Sequence, residues 1–177
     1  MKLFILGDCD SDYILDIIIY TGADTEIMSD DNLGVSGSVV KTLLDDYKGN
    51  DHVFYSDNWY TSPKLYQWLL ANKFGACGTV RPNRANFPVF PKKLDRGDRL
   101  CLHSNGMMAI ACQDKRLVHM LTTIHEDNMV VHRPVRSRSG IDVMKPKAIM
   151  DYNKRMLVID KQDMMIAYVE CLCKMLK

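Results

Sequence analysis

Short apolar runs alternate with polar turns along the chain, and the runs predict its strands. The first two runs, residues 2–8 and 12–20, are separated by a few polar residues and predict an antiparallel hairpin with mostly buried strands. A polar, acidic stretch follows, after which Ser36 or Ser38 can cap a helix that ends before Gly49. This part of the chain is therefore predicted to be strand, strand and helix.

The next elements are predicted to be a strand, a helix and a further short strand. HVFYS, residues 52–56, is rich in apolar and aromatic side chains, which favours a strand. Thr61 or Ser62 can cap the following helix, because Pro63 suits a first turn and apolar residues then recur at helical spacing. GACGTV, residues 75–80, indicates the next strand.

The second half of the chain contains a β-rich part and a final helical part. Pro, Asn and Lys are frequent over residues 81–98, which predicts a loop. The apolar pieces RLCLHS, MMAIACQ and LVHMLTTI predict the strands of a small antiparallel subdomain. No Gly or Pro occurs after Pro146, so the C-terminal part is predicted to be mainly helical.

This order of elements predicts an α/β fold. Strand, strand, helix, strand, helix, strand, β-rich insertion and helix is the order expected of a ribonuclease-H-like core, a mixed sheet flanked by helices, with the insertion before the last helix. The predicted divisions are residues 1–80 for the first part of the core, 81–144 for the insertion and 145–177 for a C-terminally truncated last-helix region.

Charge and composition narrow the classes of function. With 23 Lys+Arg against 22 Asp+Glu the formal net charge is +1, so contact with nucleic acid would need a local basic patch. Basic patches occur at HRPVRSRSG and between residues 73 and 99, and a solvated loop is the alternative for each. The six cysteines lack C-x-x-C spacing and the N-terminus does not resemble a signal peptide, which predicts reduced thiols in a non-secretory compartment. The histidines are dispersed and suggest no metal site, and ILDIIIY is too short to span a membrane.

Two acidic residues stand at predicted strand ends. Asp8 follows LFILG and Asp57 follows HVFYS, and strand ends in α/β sheets are where functional sites gather. A third acid, Asp160, lies in the predicted last helix. Three converging carboxylates can hold two Mg²⁺ ions for phosphodiester transfer. The alternative is exposed carboxylates at turns, which for Asp57 means an Asp-Asn turn that leads into the helix cap.

Four sequence words resemble a known family. SDNWYTS, GTVRPNR, DKRLVHMLTTIH and KPKAIMDYNKRM, in this order, are similar to the DDE transposase domain of piggyBac and of host genes derived from piggyBac elements, from about Lys2 to about Tyr168. The resemblance implies a catalytic triad of acids and a fourth acidic metal ligand. It implies no catalytic role for Asp10. In this chain the triad and the fourth ligand are Asp8, Asp57, Asp160 and Asp163.

The resemblance also implies cofactors and partners. It implies a two-metal site for Mg²⁺ or Mn²⁺, double-stranded DNA as the substrate, with transposon ends and target DNA both bound, and residence in the nucleus. No membrane partner is implied, and a homodimer is left open. The arginines predicted to contact DNA lie in the two basic patches; they are Arg81, Arg84, Arg133, Arg136 and Arg138. Trp59 and Tyr60 are predicted to pack behind the acids rather than stack on bases.

The chain departs from the family pattern just before the third acid. Leu157 and Val158 stand where the family has a glycine pair, and the family's N-terminal DNA-binding segments and C-terminal zinc module are expected to be absent. Three hypotheses follow. The chain is a transposase catalytic domain for DNA cleavage and strand transfer, or a truncated or domesticated inactive remnant with a DNA- or protein-binding role, or a small nuclease unrelated to transposition.

Overall fold

The computed structural model describes residues 2–132 and 143–168, and within them it contains nine strands and three α-helices. In chain order the elements are β1 (Lys2–Gly7), β2 (Ile14–Tyr20), α1 (Gly34–Leu43), a 3₁₀ turn (Asp45–Tyr47), β3 (Val53–Ser56), α2 (Pro63–Ala71), β4 (Gly75–Thr79), β5 (Arg99–Ser104), β6 (Met107–Gln113), β7 (Leu117–Thr122), β8 (Met129–His132), β9 (Val143–Pro146) and α3 (Lys147–Tyr168). No helix in these ranges is both long and apolar enough to cross a membrane.

The predicted N-terminal hairpin is confirmed. β1 and β2 pair antiparallel, with Phe4 opposite Ile18, and they form a two-stranded sheet of their own. Phe4 is buried against Val39 and Leu43 of α1. The prediction of mostly buried strands is wrong for β2, because nearly all of its side chains are exposed. Among the described residues only one face of the hairpin is covered, by α1 and the residues after β3.

A five-stranded mixed sheet forms the centre of the molecule. Its order is β3-β4-β7-β6-β5, with β3 and β4 parallel and the other neighbours antiparallel. β6 is buried along almost its whole length. The three strands predicted as an antiparallel subdomain do pair with one another, but β7 also pairs with β4, so they extend the sheet that contains β3. The domain boundaries and the ribonuclease-H-like arrangement remain predictions.

Helix α2 connects the two parallel strands and begins as its sequence predicts. Of the two possible caps, Ser62 is the one observed: its hydroxyl accepts a hydrogen bond from the Leu65 amide at 3.2 Å, and Pro63 occupies the first helical position. Leu65, Tyr66 and Leu69 are buried against the sheet. This burial holds the turn before α2, which contains Asp57, in a fixed place.

Helix α1 begins earlier than predicted. Neither Ser36 nor Ser38 is its cap, because the helix begins at Gly34 and its N-cap residue Leu33 makes no side-chain capping bond. Ser38 lies inside the helix, where its hydroxyl donates to the Gly34 carbonyl at 2.9 Å and accepts from the Asp30 amide at 3.0 Å. Ser38 therefore connects the preceding loop to the helix and is not the residue that caps the helix N-terminus.

Helix α3 lies against β3 and β4. Ala148 is buried and accepts a hydrogen bond from the Cys77 thiol at 3.8 Å, while the Tyr152 hydroxyl is 3.3 Å from that of Thr79. The predicted C-terminal helix is thus confirmed over residues 147–168, and it is continuous through Leu157 and Val158.

Candidate active site

Asp8 is the first residue after β1, in the turn over residues 8–13 that joins β1 to β2. Its amide donates to the Tyr13 carbonyl at 2.8 Å, and its Oδ2 accepts from the Ser11 amide at 2.9 Å and from the Ser11 hydroxyl. The Ser11 hydroxyl, followed by the Ser11 amide, lowers the pKa of the Asp8 carboxyl. The Asp8 carboxyl is therefore ionised at neutral pH.

Asp57 is the first residue after β3 and also lies in a turn. Its Oδ1 accepts from the Trp59 amide at 2.9 Å, and its carbonyl accepts from the Thr61 amide at 3.1 Å and the Thr61 hydroxyl at 2.8 Å. The Asp-Asn turn proposed from the sequence is thus present. The carboxylate is exposed, and its Oδ2 accepts no bond from the described part of the chain.

Aromatic packing connects the Asp57 turn to the strand that leads to Asp8. Trp59 stacks on Phe4, with ring centroids 5.8 Å apart and planes at 15°, and Tyr60 meets Trp59 edge-on at 4.7 Å. Burial, followed by the charge of Asp57, raises the pKa of Tyr60 to about 12. The prediction that Trp59 and Tyr60 are packing residues is confirmed.

Helix α3 reaches the Asp8 turn through an ion pair. The Arg155 guanidinium contacts the Asp10 carboxylate, and the hydrogen bond with Asp10 is the main reason that the pKa of Arg155 is raised. Asp10, passed over as a catalytic acid, is here the partner of the helix that contains Asp160. Sequence reasoning missed Arg155, and no local signal identifies a pair whose members are 145 residues apart.

Asp160 and Asp163 lie on the described backbone of α3, five and eight residues beyond Arg155. Their side chains are outside the described part of the structure. Among the described side chains, no three His, Cys, Asp or Glu residues are grouped closely enough to hold a metal ion. The structure therefore presents two fixed carboxylates and the helix backbone that contains the third and fourth predicted ligands.

The two arginines after β4 contact the Asp57 turn. Arg84 Nη2 donates to the carbonyls of Asn58 and Trp59 at 2.6 and 2.8 Å, and Arg81 Nε donates to Asn58 Oδ1 at 3.1 Å. Burial, followed by the neighbouring charge of Arg81, lowers the pKa of Arg84, while the charge of Asp57 acts in the opposite direction. The other predicted DNA contacts lie outside the described residues; they are Arg133, Arg136 and Arg138.

Comparison with known proteins places the chain in a family. The family model described as Transposase IS4 matches residues 1–177. The chain belongs to the IS4 transposase family. Its fold is also similar to that of a piggyBac transposase solved by cryo-EM in a synaptic complex with hairpin DNA, with a TM-score of 0.76 and 22% identity over 93% of this chain. The match covers 34% of that transposase chain, so this chain spans about a third of its length. The recognition of a DDE transposase domain is thus confirmed.

This IS4-family domain contains a second link to α3 that the sequence did not indicate. His125, whose side chain is 5% exposed, has Nε2 at 3.1 Å from Asp151 Oδ2 and Nδ1 at 2.8 Å from the Thr122 hydroxyl. The imidazole therefore joins the end of β7 to the first turns of α3. His125 thus holds α3 against the five-stranded sheet of the domain.

Proposed function

We propose that the chain is the catalytic core of a piggyBac-like DDE transposase, which cleaves DNA and transfers the freed strand with the help of divalent cations. One observation carries the proposal. Helix α3, which contains Asp160, packs on β4 and on β3, the strand that leads to Asp57, and it contacts the Asp8 turn through Arg155 and Asp10. These contacts support a site that combines three acids from distant parts of the chain.

The residues present suit a hard divalent cation. DDE transposases typically use divalent metals, and carboxylate oxygens are the ligands that Mg²⁺ and Mn²⁺ take in such sites. Asp8 and Asp57 would hold the ions together with Asp160 and Asp163. When bound, a pair of such ions activates the attacking oxygen and stabilises the leaving oxygen of a phosphodiester. Ser11 and the Trp59 amide keep the first two carboxylates oriented and, for Asp8, ionised.

The rest of the proposal concerns the fold type and the partners. We propose a ribonuclease-H-like core, with the hairpin beside β3, and double-stranded DNA as the substrate, including transposon ends and target DNA. The solved piggyBac relative was bound to hairpin DNA, which supports a DNA substrate for this chain. From that substrate we also propose residence in the nucleus.

A second candidate function rests on the residues just before Asp160. α3 continues without a break through Leu157 and Val158, where the family pattern has two glycines. If the family site needs a glycine turn at this point, the helix would hold Asp160 away from the metal ions. The chain would then be a remnant that binds DNA or protein without cleaving DNA.

Thermal unfolding with and without Mn²⁺ tests the proposed function. A ligand at 100 times its Kd stabilises the folded state by about 2.7 kcal/mol, a rise in Tm of roughly 5–10 °C for a domain of this size. We expect this rise for the wild-type chain and expect Asp57→Asn to abolish most of it. Asp46→Asn, which removes an exposed acid of the 3₁₀ turn before β3, is the matched control and should keep the rise.

Two results would count against the proposal. No Mn²⁺-dependent rise in the wild-type chain would mean that the acids do not form a metal site, which supports the remnant. An equal rise in all three proteins would mean that the cation binds elsewhere.

A further inference from the structure

Two arginines bind the turn that contains Asp57 and leads into α2. The sequence predicts that these arginines contact DNA. Arg84 makes two hydrogen bonds through one nitrogen to successive carbonyls, of Asn58 and Trp59, and Arg81 binds the Asn58 side chain. These bonds connect the loop after β4 with a turn 23 to 26 residues earlier in the chain. The turn is thus fastened on both sides, by the aromatic packing of Trp59 and by the two arginines.

Arg84 has no other described role that would explain its position. It is half-buried, burial lowers its pKa, and it lies close to the like charge of Arg81. Its Nε is buried and has no hydrogen-bond partner in the described part of the structure. An unsatisfied buried donor and a neighbouring like charge both cost stability, so this arrangement is not one that stability alone would favour.

The hydrogen bonds of Arg84 act on the backbone that orients the Asp57 carboxylate. The Trp59 amide, which donates to Asp57 Oδ1, belongs to the residue whose carbonyl accepts from Arg84. The Asn58 carbonyl, the other acceptor, belongs to the same planar peptide group as that amide. Moving Arg84 would therefore rotate the peptide that fixes the carboxylate.

We propose that Arg84, supported by Arg81, is a positioning residue that holds Asp57 in the orientation required for binding the divalent cation. This inference rests on the proposed function of the acid site. It assigns to the two arginines a role in the protein itself, and direct contact with DNA becomes the competing explanation.

Mn²⁺ affinity and DNA affinity, measured separately, distinguish the two roles. We would titrate Mn²⁺ by calorimetry into the wild-type chain, Arg84→Ala, Arg84→Lys and the control Arg116→Ala, which removes an exposed arginine from the β6–β7 turn. Loss of a residue that supports a metal ligand typically weakens metal binding about 10- to 100-fold. We expect a loss of this size for Arg84→Ala, partial recovery for Arg84→Lys because an ammonium can donate to the same two carbonyls, and no change for Arg116→Ala. Affinity for a mixed-sequence DNA duplex in EDTA should be equal in all four proteins.

Amide hydrogen exchange in metal-free protein gives a readout that does not depend on the cation. Arg84→Ala should speed exchange at the Trp59 and Thr61 amides, both of which donate to Asp57, while amides of β6 keep their wild-type protection. Unchanged exchange at these two amides would overturn the inference. So would wild-type Mn²⁺ affinity in Arg84→Ala, most clearly if DNA binding were weakened instead. Failure of the wild-type chain to bind Mn²⁺ would refute the proposed function itself.

Discussion

The carboxylates of Asp8 and Asp57 each accept a hydrogen bond from a backbone amide a few residues further along the chain. Asp8 is bound by the Ser11 amide and hydroxyl, and Asp57 by the Trp59 amide. Such short-range bonds fix the orientation of each carboxylate, so less order has to be imposed when a cation binds. Both turns follow directly from the strand ends that the sequence predicts.

Replacing Ser11 by alanine should raise the pKa of Asp8 toward its ordinary value, because the hydroxyl is the largest cause of the lowered pKa. A lowered pKa in the folded state adds stability above the unfolded-state pKa, and this stability is lost as the pH falls through the folded-state pKa. The Tm of Ser11→Ala should therefore lie below the wild-type Tm at neutral pH and approach it in strong acid. NMR titration of the Asp8 side-chain carboxyl measures the shift directly, with Ser29→Ala as the control. An Asp8 pKa equal to that of the wild type would show that Ser11 does not set the charge of this site.

At the scale of elements, a glycine in β4 allows α2 to approach the parallel strands. Gly78 pairs with Ser56 of β3, and a Cβ at Gly78 would lie 2.4 Å from the Ser56 carbonyl oxygen and 2.6 Å from the Thr61 hydroxyl oxygen. The Ser56 and Thr61 hydroxyls, 2.9 Å apart, are buried in the same place. This close approach sets the position of the turn between β3 and α2, and so of Asp57.

Gly78→Ala should destabilise the domain more than Gly75→Ala in the same strand. At Gly75 the nearest atom to an added Cβ is the Cγ2 methyl of Ile124 at 2.5 Å, on a side chain that is 40% exposed and can move. At Gly78 the nearest atom is a backbone oxygen that cannot move alone. We expect Gly78→Ala to lower the free energy of unfolding by about 1–3 kcal/mol or more in urea denaturation, as overpacking does. An equal or smaller loss than for Gly75→Ala would contradict this account of β4.

Strands and helix ends can be predicted from the sequence where the residues that determine them are close together in the chain. The Ser62 cap and the strand before Asp57 could be predicted, because a cap or an apolar run is recognisable within a few residues. The start of α1 is predicted too late in the sequence. A serine such as Ser38 can cap a helix or form a hydrogen bond within it, and only the fold decides between the two. The exposure of β2 could not be predicted either, since its apolar pattern alone does not show what covers it.

At the scale of the whole molecule, the candidate site is assembled by contacts between distant segments. Arg155 contacts Asp10, His125 contacts Asp151, and β7 pairs with β4. The two charged contacts could not be predicted from the sequence, because 23 Lys and Arg and 22 Asp and Glu offer too many alternative pairs. The pairing of β7 with β4 joins strands that are far apart in the chain, and no local pattern indicates it. The identity of the acids came from the family resemblance, whereas the way in which α3 is docked came from the structure.

The most direct test of the account is whether Asp160 on α3 and Asp8 on the hairpin bind the same cations. Electron paramagnetic resonance of free Mn²⁺ gives both the affinity and the number of ions bound, and it should be measured for the wild-type chain, Asp8→Asn, Asp160→Asn and the control Asp46→Asn. The account predicts up to two ions in the wild-type chain. It also predicts that both site variants bind Mn²⁺ at least about tenfold more weakly than the wild-type chain, because each variant lacks a charged ligand. The affinity of Asp46→Asn should not change. Identical Mn²⁺ binding curves for the wild-type chain and Asp160→Asn would contradict the claim that α3 completes a metal site with the two strand-end acids.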